Sequence, residues 1–154
     1  MKILIAEDER DIVLVYRIVL EERNHDLVVT DNGKDCLTIY RQELKNFISR
    51  GCSTNNKGHP FDIVILDYKM PGTNGMEVAK EILEMNPTQK IIIASAYPEE
   101  TFSPSLRQLG QLVELMPKPF HIDTLIDMIE KKEFYSKLQK LNKDTDIIQK
   151  FNLT

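Results

Sequence analysis

The sequence predicts a doubly wound α/β fold on a five-stranded parallel sheet, and three features point to it. Short apolar runs rich in β-branched residues alternate five times with longer amphipathic segments. One run, Phe61, Ile63, Val64, Ile65 and Leu66, is almost continuous, the pattern of a strand buried on both faces inside a parallel sheet. Polar or charged residues sit where four of the five runs end: Glu7 and Asp8, Asp67, Ser95 and Lys118. In an open parallel sheet those ends share one edge, and ligands bind there.

The first strand is Ile3–Ala6, and Asp11–Glu22 follows with Ile12, Val15, Tyr16 and Val19 at helical spacing. Ile, Val and Tyr favour strands, but the length and the flanking charges select a buried helix. Leu27–Thr30 is a second strand and Asp31-Asn32-Gly33 a turn. From Lys34 to about Ser49 the pattern is helical, with Leu37, Tyr40, Leu44, Phe47 and Ile48 on one side. Residues 50–60, RGCSTNNKGHP, are polar and aperiodic, a long exposed loop. The third strand is 61–67. Met70-Pro71-Gly72 and Asn74-Gly75 then turn the chain into a helix with Met76, Ala79, Ile82 and Leu83 inward, stopped at Asn86-Pro87.

Lys90–Ala94 is a fourth buried strand ending at Ser95. Pro98-Glu99-Glu100 resembles a first helical turn, but Ser103-Pro104 interrupts it, giving a broken or shifted helix that closes at Gly110. Leu112–Met116 is a fifth, weaker strand. Ile122, Leu125, Ile126 and Ile129 mark an amphipathic helix whose spacing continues through Phe134, Leu138 and Leu141.

A chain of 154 residues can bury a core without metal or disulfide staples. The net charge of −4 argues against a nucleic-acid surface as the main role. Residues 131–154 hold six lysines against Glu133, Asp144 and Asp146, a balance of +3 that leaves −7 on residues 1–130. Cys36 and Cys52 form no CxxC, so a reducing, cytoplasmic setting is expected. No run reaches membrane-spanning length, and the first strand is too short for a signal-peptide core. His25, His59 and His121 have no metal-ligand spacing.

Three carboxylates brought to one edge repel one another unless a cation sits among them. A hard, oxygen-preferring ion, Mg²⁺ above all, suits that set. Adding a lysine and a hydroxyl makes a site for a tetrahedral dianion, which points to phosphoryl chemistry with a carboxylate nucleophile.

Glu7-Asp8, the LD-x-x-MPG-x-x-G of Leu66–Gly75, Ser95-Ala96 and Lys118-Pro119-Phe120 resemble, in order and spacing, the receiver domain of two-component response regulators over residues 1–130. The resemblance implies a flavodoxin-like sheet in 2-1-3-4-5 order with helices on both faces. It implies that Asp67 accepts a phosphoryl group from a sensor histidine kinase or phosphotransfer protein. Asp8 and Asp67 would bind Mg²⁺ directly, Glu7 through water and Lys69 through its backbone carbonyl. Lys118 would pair with Asp67 and then with the phosphoryl oxygens, before a cis proline bond. Ser95 would swing to the phosphoryl group and switch a protein-binding surface, while Thr73 and Gly75 only shape the adjacent loop.

Two departures stand out. Leu115 occupies the position three before the lysine where the family usually has an aromatic, and the distance from Gly110 to Lys118 is one residue longer than the common pattern. Tyr97 lies where the family sets acyl-phosphate lifetime, so slow self-dephosphorylation is expected. The basic residues 131–154 read as a helical extension or tail with no output domain, leaving partner binding, relay or dimerisation as routes for the signal. A pseudo-receiver scaffold is the alternative function. An aspartyl-nucleophile phosphohydrolase is more remote, because Lys69 stands where such enzymes place a second acid.

Overall fold

The computed structural model describes residues 1–52, 58–97 and 113–131. The chain divides into two compact units, Met1–Pro119 and Phe120–Thr154.

The first unit is organised on five strands: β1 (Lys2–Ala6), β2 (Asp26–Thr30), β3 (Ile63–Asp67), β4 (Ile91–Ser95) and β5 (Val113–Pro117). All four pairings are parallel and the order is β2-β1-β3-β4-β5, as the resemblance implies. β3 and β4 are buried at every position, which explains why their sequences run apolar without alternation. The helices are α1 (Arg10–Glu21), α2 (Gly33–Ser49) and α3 (Gly75–Met85). Asn32 and Asn74 cap α2 and α3, their side chains accepting from the Asp35 and Glu77 amides at 2.8 and 2.9 Å. Both turn residues of the sequence reading are thus N-caps.

The inward faces differ from expectation at two places. In α1 the buried residues are Tyr16, Val19 and Leu20; Val15 is 37% exposed, and Leu14 and Ile18 also face solvent. Eight of the twelve residues from Arg10 to Glu21 are apolar, aromatic or β-branched, so periodicity alone could not set the phase of the stripe. In α2, Leu37, Tyr40 and Leu44 are buried, joined by Cys36, while Phe47 is half-buried and Ile48 is exposed. The core gathers Leu4, Leu37, Val64, Leu66, Ile82 and Ile93 with their neighbours, and half-buried Leu115 packs against it.

The second unit opens with α4 (Ile122–Ile126) and a π-helical turn, Asp127–Lys131, in which Leu125 and Ile129 are fully buried. The expected broken helix across 98–110, and the continuation through Phe134, Leu138 and Leu141, lie outside the described residues. No helix of the described residues is long and apolar enough to cross a membrane.

Candidate functional site

The parallel ladder carries four of the expected residues to one edge. Beyond β1, the Glu7 amide donates to the Thr30 carbonyl at 3.0 Å; beyond β5, the Lys118 amide donates to the Ser95 carbonyl at 2.7 Å. Asp67 is the last residue of β3, in register with Ala94, and Ser95 is the last of β4, opposite Pro117. Backbone hydrogen bonding thus fixes residues up to 111 positions apart before any side-chain contact is made. The turn after β3 is equally constrained. Gly72 has φ +80°, which favours glycine. A Cβ at Gly75 would collide with the Asp67 carbonyl, so the α3 terminus can approach the strand only with glycine there.

One oxygen from each of Glu7, Asp8 and Asp67 lies within 4.8 Å of the others. Glu7 and Asp67 are buried, and Asp8 is exposed. Lys118, nine-tenths buried, donates from Nζ to Glu7 Oε2 at 2.7 Å and to Asp67 Oδ1 at 3.0 Å. The other Glu7 oxygen accepts from the Glu9 amide at 3.1 Å. Ser95 is 1% exposed, and its Oγ accepts from the Tyr97 amide at 3.0 Å. The Lys118–Pro119 bond is cis, as expected. Beside the acids opens a groove of about 620 Å³, walled by Arg10 and Arg17 of α1 and by Asp31 and Asp35 beyond β2.

Burial pushes the Asp67 carboxyl up to about 7; Lys118 works against that rise, and the neighbouring Glu7 and Asp8 add to it. For Lys118, burial disfavours the ammonium, but the hydrogen bonds and charges of Glu7 and Asp67 outweigh it and the pKa rises. The donor set fits a hard divalent cation: three carboxylates, two of them buried, whose mutual repulsion is only partly offset by one ammonium.

Sequence reasoning missed three features here. Glu7 is a direct partner of Lys118, which no local pattern announces. Lys69, read as having a solvated side chain, holds its ammonium 4.3 Å from the centroid of the Tyr97 ring. Tyr16, read only as core, is fully buried; its phenol is pushed above its ordinary range by burial first, then by the negative charges of Glu7 and Asp67. A hydroxyl on an otherwise apolar helix face was the available signal.

Strand order 2-1-3-4-5 with acids, a hydroxyl and a lysine on its carboxyl edge defines a flavodoxin-like doubly wound domain with an acidic, lysine-bearing site. Comparison with known proteins narrows the class. The family model for the response regulator receiver domain matches residues 3–130. Sporulation initiation phosphotransferase F of Bacillus subtilis is 28% identical over 130 residues, 84% of this chain and 91% of that protein. The response regulator TrrA of Thermotoga maritima, solved in complex with Mg(2+)-BeF, is 31% identical with a TM-score of 0.63 across 84% of this chain and 96% of that one. TrrA was also solved in complex with the histidine kinase ThkA. The chain belongs to the response regulator receiver family.

Proposed function

We propose that Asp67 is the phosphoacceptor of this receiver domain. An Asp67 oxygen attacks the phosphorus of a phosphohistidine on a sensor kinase or phosphotransfer protein; the P–N bond breaks, an acyl phosphate forms and the imidazole leaves. The observation that carries this reading is the buried Asp67 carboxylate, 3.0 Å from Lys118 Nζ and within reach of two further acids. Asp8, Asp67 and the Lys69 carbonyl, with Glu7 through water, would hold Mg²⁺, which when bound neutralises charge building on the transferred group. Lys118 neutralises a second phosphoryl oxygen. Ser95 exchanges its Tyr97 contact for the phosphoryl group, moving the segment after β4 and so altering a protein-binding surface. The chain acts as a signalling switch on its own aspartate, in the cytoplasm, rather than as an enzyme with an external substrate. Residues 1–130 carry this function, and the basic residues 131–154 extend it.

Incubation with Mg²⁺ and acetyl phosphate, followed by intact mass, tests the assignment. A gain of one phosphoryl group that needs both Mg²⁺ and Asp67 supports it; an equal gain in Asp67→Asn overturns it. With Lys69 and Tyr97 stacked beside the site, the acyl phosphate is expected to outlast a timescale of seconds, and Tyr97→Ala to shorten its life.

A further inference from the structure

We propose that Asn32 is a self-modification site. The Gly33 amide nitrogen attacks the Asn32 side-chain carbonyl, the Cγ–Nδ2 bond breaks with loss of ammonia, and water opens the resulting succinimide to aspartate or isoaspartate. The second Asn-Gly pair of the chain, Asn74-Gly75, is the protected counterpart.

Packing forces the susceptible dipeptide at both places. Each N-cap needs a short side-chain acceptor, which Asn32 offers to the Asp35 amide and Asn74 to the Glu77 amide. The residue that follows has no room for a Cβ. At Gly33 it would lie 2.8 Å from Val78 Cγ2 and 3.0 Å from the Thr73 carbonyl oxygen, and at Gly75 it would collide with the Asp67 carbonyl. Both asparagines are half-buried, so access of water does not separate the two pairs.

Their hydrogen bonds do. The Gly75 N–H donates to the Tyr68 carbonyl at 2.9 Å, which holds that nitrogen away from attack, whereas the Gly33 N–H has no backbone acceptor among the described residues. Asn32 also carries a proton relay. Its Nδ2, the leaving nitrogen, donates to Asp31 Oδ1 at 2.7 Å and to Asp35 Oδ2 at 2.9 Å. One of these carboxylates takes the proton that the Gly33 nitrogen gives up and delivers it to the departing amine, so ammonia leaves with no net proton change. Ring closure requires the Asn32 backbone to leave its extended ψ of 162°, so conversion proceeds when the start of α2 opens. The product puts a third carboxylate where a donor had bridged two, adding one negative charge to the groove wall that Asp31 and Asp35 form.

Prolonged incubation of the full chain in mildly alkaline buffer, with peptide mass spectrometry of both sites over time, tests this. Asn32 should show the amide-to-acid mass change, with isoaspartate confirmed by isoaspartyl methyltransferase labelling, at least about fivefold faster than Asn74. In guanidinium, where neither the Tyr68 bond nor the relay survives, the two sites should react at similar rates. Replacing both acids, Asp31→Ser with Asp35→Ser, separates relay from cap, with circular dichroism as the folding check. A looser cap alone would speed loss at Asn32, whereas loss of the relay should slow it at least about threefold and leave Asn74 unchanged. Equal rates in the folded protein, a faster Asn74, or the same rate ratio persisting in guanidinium overturn the proposal. A double-variant rate at or above wild type overturns the relay.

Discussion

Two buried polar clusters lie at opposite ends of β3 and β4, and they follow opposite rules. At the amino ends, Tyr40 Oη donates to Gln89 Oε1 at 2.8 Å and accepts from Asn86 Nδ2 at 3.2 Å. Gln89 Nε2 donates to the Phe61 carbonyl at 3.0 Å and the Lys90 carbonyl at 3.1 Å, and Asn86 Oδ1 accepts from Thr88 Oγ1 at 3.1 Å. Tyr40, Asn86 and Gln89 are fully buried, neutral and mutually satisfied. At the carboxyl ends, three carboxylates share one ammonium, and burial holds Asp67 near 7. A satisfied neutral network specifies and stabilises a core, whereas a charged set short of counter-ions destabilises the empty protein and creates affinity for what would relieve it. The comparison separates where this fold gains stability from where it gives stability up for binding.

The sharpest way to break the contrast is to damage the neutral cluster. Gln89→Ala strips the Tyr40 hydroxyl of its acceptor and the Phe61 carbonyl of a donor, so urea denaturation should show a loss of about 3 kcal/mol. That loss should be alike near pH 5 and pH 8, since no member of the network titrates there; Tyr40 is itself pushed up to about 12, chiefly by burial. A strongly pH-dependent loss would merge the two clusters into one electrostatic system.

Asp67→Asn should act in the opposite direction. The folded carboxyl keeps its proton to about 7, while the unfolded one gives it up near 3.8, so the native state binds more protons across that window. Stability of the metal-free wild type therefore falls as pH rises through it. Relative to wild type, Asp67→Asn should gain on the order of 2 kcal/mol at pH 8, or roughly 5 °C in Tm, and nearly nothing at pH 4. Equal gains at both pH values would contradict the electrostatic origin.

Tyr40→Phe sharpens the neutral side, removing one hydroxyl from between Gln89 and Asn86 at a cost of about 1 kcal/mol in thermal melts. The smallest effect belongs to a charge pair in water. Arg41 and Glu81 bond at 2.7 Å with side chains 54% and 45% exposed, and Arg41→Ala should change stability by less than about 0.5 kcal/mol. A larger value would mean that exposed charge matters here as much as buried charge.

The legible and illegible parts of the sequence divide along physical lines. β3 could be read because burial on both faces writes a continuous apolar run, and the edge it ends on follows from parallel pairing. Glu7, Asp67, Ser95 and Lys118 converge for that reason alone. The face of α1 could not be read, since its segment is apolar nearly all round. The Tyr40, Asn86 and Gln89 network was invisible because amides are ordinarily exposed and a buried one is known only by its partners. The Glu7–Lys118 bond spans 111 residues, and the Lys69–Tyr97 stack joins the ends of two strands. Spacing along a chain does not encode side-chain contacts of that kind.

The carboxyl-edge cluster is destabilised by unrelieved charge that a divalent cation would relieve. Urea denaturation of metal-free wild type and Asp67→Asn at pH 8, with and without millimolar Mg²⁺, tests it most directly. Mg²⁺ should stabilise wild type and leave Asp67→Asn little changed, because the variant has already lost the repulsion and a ligand. Wild type indifferent to Mg²⁺, or both proteins stabilised equally, would contradict it.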